Sequence, residues 1–94
     1  MIEKIDLKIT ILLNYRDSKE VINNTELRAI ICDTIGHCYS LEYSVLCKRK
    51  LNEYSSQFFT ANAAVNRHYR DWGLDEIADI YDELCKTAKK YLSK

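Results

Sequence analysis

The stretch Leu74-Asp-Glu-Ile-Ala-Asp-Ile-Tyr-Asp-Glu-Leu-Cys-Lys-Thr-Ala-Lys-Lys-Tyr91 carries the clearest structural signal in the chain. Its apolar side chains recur at alternating steps of three and four, at Leu74, Ile77, Tyr81, Leu84, Ala88 and Tyr91. That spacing places them on one flank of an α-helix, so the flank must pack against something. Acidic residues fill the first turns and lysines the last, which complements the helix dipole. The pattern predicts a helix over 74–92.

The composition is that of a globular protein. The 94 residues suffice for one domain with a modest core, and a hydrophobic content of 47% argues against intrinsic disorder. The chain has no proline and only two glycines, a scarcity of turn residues that favours long helices. We therefore expect residues 1–94 to form a single helical domain.

Charge and targeting signals narrow the surroundings of the protein. Basic and acidic residues number 14 each, so net charge argues neither for nor against nucleic acid. Nothing at the amino end resembles a signal peptide, and no apolar run approaches the roughly 18 residues of a membrane span. We expect a cytoplasmic protein without a membrane partner, whose four cysteines are reduced and largely buried. The richness in Ile, Asn, Lys and Tyr is compatible with an AT-rich genome such as that of a phage.

The middle of the chain predicts a second long helix. Asn23 stands three residues before Glu26, the offset of a capping box. The residues that share one helical flank after it are Leu27, Ile30, Ile31, Thr34, Cys38, Leu41 and Val45. Gly36 falls on the opposite side without a change of phase, so we expect the helix to pass through it. Beyond this row the apolar flank changes, which predicts a helix over about 24–56 that is bent or broken near 47–50.

The amino-terminal segment 2–16 supports two readings. Its apolar residues alternate with polar ones from Ile5 to Tyr15, interrupted at Leu12, which is a strand pattern. A lone strand would have to pair with another chain, so this reading predicts a homodimer. The same residues also fit a helix, although one with Leu7 on its outer side. The helix is favoured only because the rest of the chain is helical.

Together these segments predict an all-α fold, a small bundle of three or four helices. The helices are expected at about 24–56, 61–72 and 74–92, with 2–16 as the fourth in the helical reading. The segment 61–72 follows Thr60 as a cap. Its apolar flank consists of Ala61, Ala64, Val65, His68 and Trp72. We expect the stripe of the last helix to pack against the stripe from Leu27 to Val45.

A first candidate site surrounds two arginines one helical turn apart. It comprises Arg67, His68, Tyr69, Arg70 and Trp72. The two guanidiniums would hold a phosphate, an aromatic ring would stack on a base, and the histidine would exchange a proton. The structural alternative is that Arg67 pairs with Asp71 while Trp72 anchors the core.

A second candidate is the basic run Lys48, Arg49 and Lys50, which has aromatic residues nearby. Basic charge interleaved with aromatic rings is typical of proteins that grip single-stranded nucleic acid. The alternative is a solvated helix face. Taken with the first candidate, the run makes 48–72 a predicted surface for nucleic acid or a phosphorylated small ligand.

A third candidate is a row of aromatic residues opposite the apolar flank of the middle helix. It contains Tyr39, Tyr43, Tyr54 and Phe58. Tyrosine is favoured at the energetic centres of protein interfaces, so the row is a candidate protein-binding surface. The alternative is that it forms a second core face of the bundle.

Metal and catalytic signatures are absent from the sequence. Cys32, His37 and Cys38 do not converge on one helical flank, and no Cys-x-x-Cys occurs. There is no nucleophile–base signature and no phosphate-binding loop. We therefore expect no enzyme, no metal and no cofactor. The leading hypothesis is a non-catalytic protein–protein interaction module, such as a small inhibitor, antitoxin-like or immunity-like factor that masks a partner surface. The alternative is the nucleic-acid or phosphorylated-ligand binder.

Overall fold

The structure, a computed structural model, describes residues 2–93, within which six α-helices and no strand occur. The elements are α1 (Ile2–Arg16), α2 (Lys19–Ile22), α3 (Thr25–Cys47), α4 (Glu53–Thr60), α5 (Asn62–Asp71), α6 (Asp75–Ala88) and a 3₁₀ turn at Lys89–Tyr91. The predicted all-α class is confirmed for this part of the chain. Six helical segments replace the expected three or four because α2 adds a single turn and the predicted helix over 24–56 is divided in two.

The segment 2–16 is the helix α1, so the alternative of an intermolecularly paired strand is not supported. Ile5, Ile9 and Leu12 recur at steps of four and three and are buried where α1 packs on α3. A helix pairs the backbone groups of the segment internally, whereas residues 2–93 contain no second strand to pair with it. Leu7 is left on the outer side of α1, 63% exposed.

The long helix α3 begins one residue later than the capping pattern predicts. Asn24 rather than Asn23 is the N-cap, and its side chain accepts a hydrogen bond from the backbone N–H three residues later at 3.1 Å. The helix passes through Gly36, as expected. It ends at Cys47, inside the predicted break, because Lys48 takes a left-handed conformation with φ of 53°.

Local capping separates the three helices that follow. The side chain of Asn52 starts α4 by accepting a hydrogen bond from the N–H of Ser55 at 2.8 Å. Thr60 is the last residue of α4 and Ala61 precedes α5, so Thr60 is not the cap that the sequence pattern predicts. Gly73 ends α5 with φ of 73°, a left-handed conformation that glycine adopts without a steric cost.

The helices contact one another mainly as two pairs, α1 with α3 and α5 with α6, while α4 packs on α6. The buried side chains join one cluster, and the predicted stripe of α6 lies within it. The buried residues of α6 are Ile77, Ala78, Ile80, Tyr81, Leu84, Cys85 and Ala88. The helix α6 contacts α5 more extensively than it contacts α3, whereas the sequence predicts α3 as the partner of its stripe.

Candidate interaction site

Opposite its buried flank, α3 carries an exposed row without charge. The row consists of Gly36, Tyr39, Tyr43, Leu46 and Cys47 and is called here the outer face of α3. At about 100° per residue these positions project to one side of the helix. Tyr39, Tyr43 and Leu46 are 52%, 56% and 68% exposed. The outer face of α3 is therefore an apolar surface that no other described part of the chain covers.

Of the four residues predicted to form an aromatic interface, Tyr39 and Tyr43 lie on the outer face of α3. Tyr54 lies on α4 and is 80% exposed. Phe58 is half-buried and its ring stacks on that of His37, with centroids 4.4 Å apart. The row therefore divides, because the break after α3 sends its last two members to another helix.

Leu46 belongs to the outer face of α3 although it was not among the predicted interface residues. It follows Tyr39 by seven residues and Tyr43 by three, a spacing that returns to the same side of a helix. The signal was thus present in the sequence. Leu46 is nevertheless hard to assign from the sequence, because it directly follows Val45, the last residue of the predicted core row, where the apolar flank changes.

The basic run adjoins the outer face of α3. Nη1 of Arg49 donates a hydrogen bond to the hydroxyl of Tyr43 at 3.5 Å. An open groove of about 480 Å³ runs between them, lined by Tyr39, Ser40, Tyr43, Ser44, Arg49, Lys50 and Asn52. Two surfaces that the sequence offered as alternatives, the tyrosines and the basic run, are therefore neighbours in space.

The loop that follows α3 is held by the segment that follows α6. The N–H of Leu51 donates to the carbonyl of Tyr91 at 2.7 Å, and the ammonium of Lys50 donates to the carbonyl of Lys90 at 3.3 Å. The hydroxyl of Ser93 donates to the carbonyl of Leu51. These bonds fix the backbone of the basic run beside α3.

The second predicted cluster is divided between core and surface. Tyr69 is fully buried, its hydroxyl lies 2.5 Å from that of Thr34 and donates to the carbonyl of Ile30 at 3.2 Å. Burial raises the pKa of Tyr69 above its ordinary value. Trp72 is half-buried and its ring lies 5.5 Å from that of His68. Because Tyr69 is fully buried, its ring cannot stack on a base in this structure.

Arg70 is surrounded by carboxylates of α6. Its guanidinium lies 2.9 Å from Asp79, 3.6 Å from Asp75 and 3.9 Å from Asp82. The hydrogen bond to Asp79 is the main cause that raises the pKa of Arg70. These contacts use three of the acidic residues of α6 and hold the Arg70 side chain against that helix.

Arg67 differs from Arg70 in having no carboxylate partner. It is exposed and lines a shallow groove with Ala64, His68 and Asp71. Within residues 2–93 it takes part in none of the ion pairs, so the alternative in which it pairs with Asp71 is not found there. The two arginines thus differ in setting, since one is committed to neighbouring acids and the other is open to solvent.

A histidine–serine contact joins α3 to α4. Nδ1 of His37 lies 2.7 Å from the hydroxyl of Ser55, and its ring stacks on that of Phe58 and meets the ring of Phe59 edge to face. Desolvation by this packing lowers the pKa of His37. Ser55 is only 1% exposed, so the serine hydroxyl cannot meet a substrate without opening the helix pair. The contact holds the two helices together.

Glu42 is the carboxylate of α3 that faces α1. Burial, followed by the neighbouring carboxylate of Asp6, raises the pKa of Glu42 from 4.5 to about 7. One of its oxygens is buried without a hydrogen-bond partner among residues 2–93. This carboxylate therefore belongs to the α1–α3 contact and not to the outer face of α3.

The cysteines do not match the expectation that they are largely buried. Cys38 and Cys85 are buried, whereas Cys32 and Cys47 are exposed on α3, and none of the four is in a disulfide. Residues 2–93 bring no three His, Cys, Asp or Glu side chains together in a way that would hold a metal ion. Over the same range, every helix is too short or too polar to cross a bilayer.

Comparison of the chain with protein-family models, with curated proteins and with solved structures returned no match.

Proposed function

We propose that the protein is a non-catalytic interaction module that acts by covering a surface of a partner protein, as a small inhibitor, antitoxin-like or immunity-like factor does. The observation that carries the proposal is the shared exposure of Tyr39, Tyr43 and Leu46 on the outer face of α3. Tyrosine supplies a large apolar contact with a polar tip and is enriched at interface hot spots.

The size of the surface suits a small interface. Each tyrosine can bury about 150–250 Å² when fully covered, and the two tyrosines here are more than half exposed. Specific complexes bury about 800 Å² per partner, so Tyr39, Tyr43 and Leu46 would form the centre of such an interface and the groove beside Arg49 part of its rim.

The catalytic alternative has less support. The contact closest to a nucleophile–base pair in the described chain is that of His37 with Ser55, and the serine is inaccessible there. Catalysis needs the nucleophile to reach the reacting atom, and this hydroxyl lies beneath packed helices.

The experiment is affinity capture from the native host with mass spectrometry, followed by binding measurements on the partner found. Leu46→Ala and Tyr43→Ala should each weaken binding at least tenfold, because both remove apolar area from the centre of the surface. Leu7→Ala is the matched control, since Leu7 has a similar exposure, 63% against 68%, on another helix. Equal losses from Leu46→Ala and Leu7→Ala, with none from Tyr43→Ala, would refute the proposal.

The nucleic-acid alternative keeps one supporting observation, the contact between the Arg49 guanidinium and the Tyr43 hydroxyl. Basic and aromatic groups side by side are what single-stranded nucleic acid requires. This hypothesis expects a labelled oligonucleotide to bind with an affinity that falls steeply with salt. It also expects Arg49→Ala to weaken binding strongly while stability stays near that of the wild type, because the Arg49 side chain is exposed.

A further inference from the structure

The outer face of α3 has three features that bear on the chemistry of its partner. Its centre is apolar, it contains a glycine that internal packing does not require, and cations border one of its ends. Resting on the proposed function, we infer that the occupant is an acidic amphipathic helix of another protein. Its apolar side lies along the outer face of α3 and its carboxylates lie over Lys48, Arg49 and Lys50.

The apolar centre has the shape of a helix-binding ridge. From Gly36 to Cys47 it extends along twelve residues of α3, whose ends lie about 16 Å apart at 1.5 Å per residue. Between these ends the exposed positions of the outer face carry no charge. A single uncharged row of this length matches roughly three turns of an amphipathic helix that contributes its own apolar row.

Gly36 marks the point where a partner backbone can approach α3 most closely. Glycine within a helix costs about 1 kcal/mol relative to alanine. A Cβ built at Gly36 would meet nothing within 4 Å, so packing inside the chain does not demand a glycine. The position lies on the same side as Tyr43, seven residues later. A helix that approaches α3 closely there would meet both tyrosines on the C-terminal side of Gly36.

The exposed cations beside the outer face of α3 indicate that the partner carries negative charge. Lys48, Arg49 and Lys50 are exposed, and the ion pairs formed within residues 2–93 leave all three without a carboxylate. Their backbone is held in place by the N–H of Arg49, which donates to the carbonyl of Ser44 at 3.0 Å, and by the bond from Leu51 described above. A positioned group of one sign favours a partner of opposite sign and speeds their encounter.

A second copy of this chain supplies fewer anions than an acidic helix can. If two copies of α3 packed antiparallel about the level of Leu41, midway along the outer face of α3, Arg49 would lie opposite Asp33 and Tyr39 opposite Tyr43. That pairing offers one carboxylate to the three cations of each copy. A parallel arrangement would bring cations against cations. An acidic helix can place several carboxylates over the same cations, so the charges favour a different protein.

The test uses a phage-displayed library of 21-residue amphipathic helices whose polar positions vary among Glu, Lys, Gln and Ala. We expect selection on the wild-type protein to enrich net-acidic helices. For a synthetic copy of an enriched helix, Tyr43→Ala should raise Kd at least tenfold. Arg49→Glu/Lys50→Glu should do so at low salt and less at high salt. Lys4→Glu/Lys19→Glu is the matched charge control and should change Kd less than twofold.

Gly36→Ala separates binding from folding. The substitution should make the fold more stable, since it adds a good helix former in open space. It should nevertheless raise the Kd of the enriched helix at least fivefold. A loss of affinity in a more stable protein cannot be ascribed to unfolding.

The remaining outcomes divide the two proposals. Enriched helices that are neutral or basic but still depend on Tyr43 would overturn the acidic-helix inference and leave the proposed function standing. A selection that yields nothing dependent on Tyr43 would overturn both. Dimerisation in light scattering that Tyr43→Ala abolishes would assign the face to a second copy and overturn the inference. Salt-sensitive binding of a labelled oligonucleotide that Tyr43→Ala abolishes would favour the nucleic-acid alternative and overturn both.

Discussion

Tyr69 and Tyr81 lie in the core, whereas Tyr39 and Tyr43 lie on the outer face of α3. In the first pair each hydroxyl has a protein partner, Thr34 and a carbonyl of α3 for Tyr69 and a carbonyl of α4 for Tyr81. In the second pair more than half of each side chain is exposed. The residue type alone therefore does not separate the two pairs, whereas burial of the ring does, since the Tyr43 hydroxyl also has a partner in Arg49.

The largest test of this comparison is Tyr81→Ala. Removing a fully buried ring that touches Phe58 and Phe59 should lower the free energy of unfolding by about 3–5 kcal/mol. Tyr43→Ala should change it by less than about 0.5 kcal/mol, as for other surface sites. Urea denaturation followed by circular dichroism measures both. Similar losses of stability from the two substitutions would contradict the distinction between a buried and an exposed pair of tyrosines.

A smaller effect separates the two buried hydroxyls. The hydroxyl of Tyr81 donates to the carbonyl of Phe58 at 2.6 Å, near the end of α4 where helix carbonyls lack partners. Tyr81→Phe should therefore cost about 1–3 kcal/mol, the range for a stranded buried group. Tyr69→Phe should cost less, because the Thr34 hydroxyl lies 2.8 Å from the carbonyl of Ile30 and can donate to it once the tyrosine hydroxyl is removed. The reverse order in denaturation would show that the carbonyl of Phe58 finds another donor.

The packing of α3 against α1 should make the free energy of unfolding depend on pH, because Glu42 lies in this contact. Because the pKa of Glu42 is raised from 4.5 to about 7, the folded protein holds a proton that the unfolded chain releases. Stability should then fall as pH rises from about 4.5 to about 7. Glu42→Gln should remove up to about 1 kcal/mol of this fall, the scale of a solvent-screened charge pair.

The pH profile needs one control, since His37 acts in the opposite direction. Its lowered pKa makes the fold lose stability as pH falls below the ordinary histidine value. Denaturation midpoints at pH 4.5 and 7.5 should be compared for wild type, Glu42→Gln and His37→Gln. A Glu42→Gln profile parallel to that of wild type would contradict the expected titration.

The smallest stability effect is a gain. Gly36→Ala should raise the free energy of unfolding by about 0.5–1 kcal/mol, because the unfolded chain loses freedom and the added methyl group meets open space. Thermal melting of the isolated protein measures it. A loss of stability would mean that a neighbour approaches this position within the protein, and the outer face of α3 would then not be free.

The sequence predicts the parts of the fold that depend on periodicity and charge within a segment. The stripe of α6, the passage of α3 through Gly36 and the end of α3 near Lys48 are examples. It does not reveal which helices meet, because the partners of Tyr69 lie 35 and 39 residues away. A spacing of four and then three residues separates Val65, Tyr69 and Trp72, and it indicates a packed helical flank. The basic and aromatic side chains of the same segment suggested a binding cluster instead.

The candidate site was predictable in part for the same reason. Helical spacing groups Tyr39 with Tyr43, and only the spatial fold shows that Arg49 lies beside them. It also shows that Arg70 is occupied by acids of α6. Contacts across a turn between helices have no periodic signature, since their geometry is set by the loop.

The bond between Leu51 and Tyr91 has a consequence for the order of events during synthesis. The two residues are forty positions apart, so the basic loop emerges long before the segment that holds it. At roughly 5–20 residues per second, that interval is about 2–8 s. The nascent chain can form α3 early, but its cationic border takes its final geometry only after Tyr91 has been translated. The border between the outer face of α3 and the basic run would thus be completed late, when the rest of the described chain has already been made.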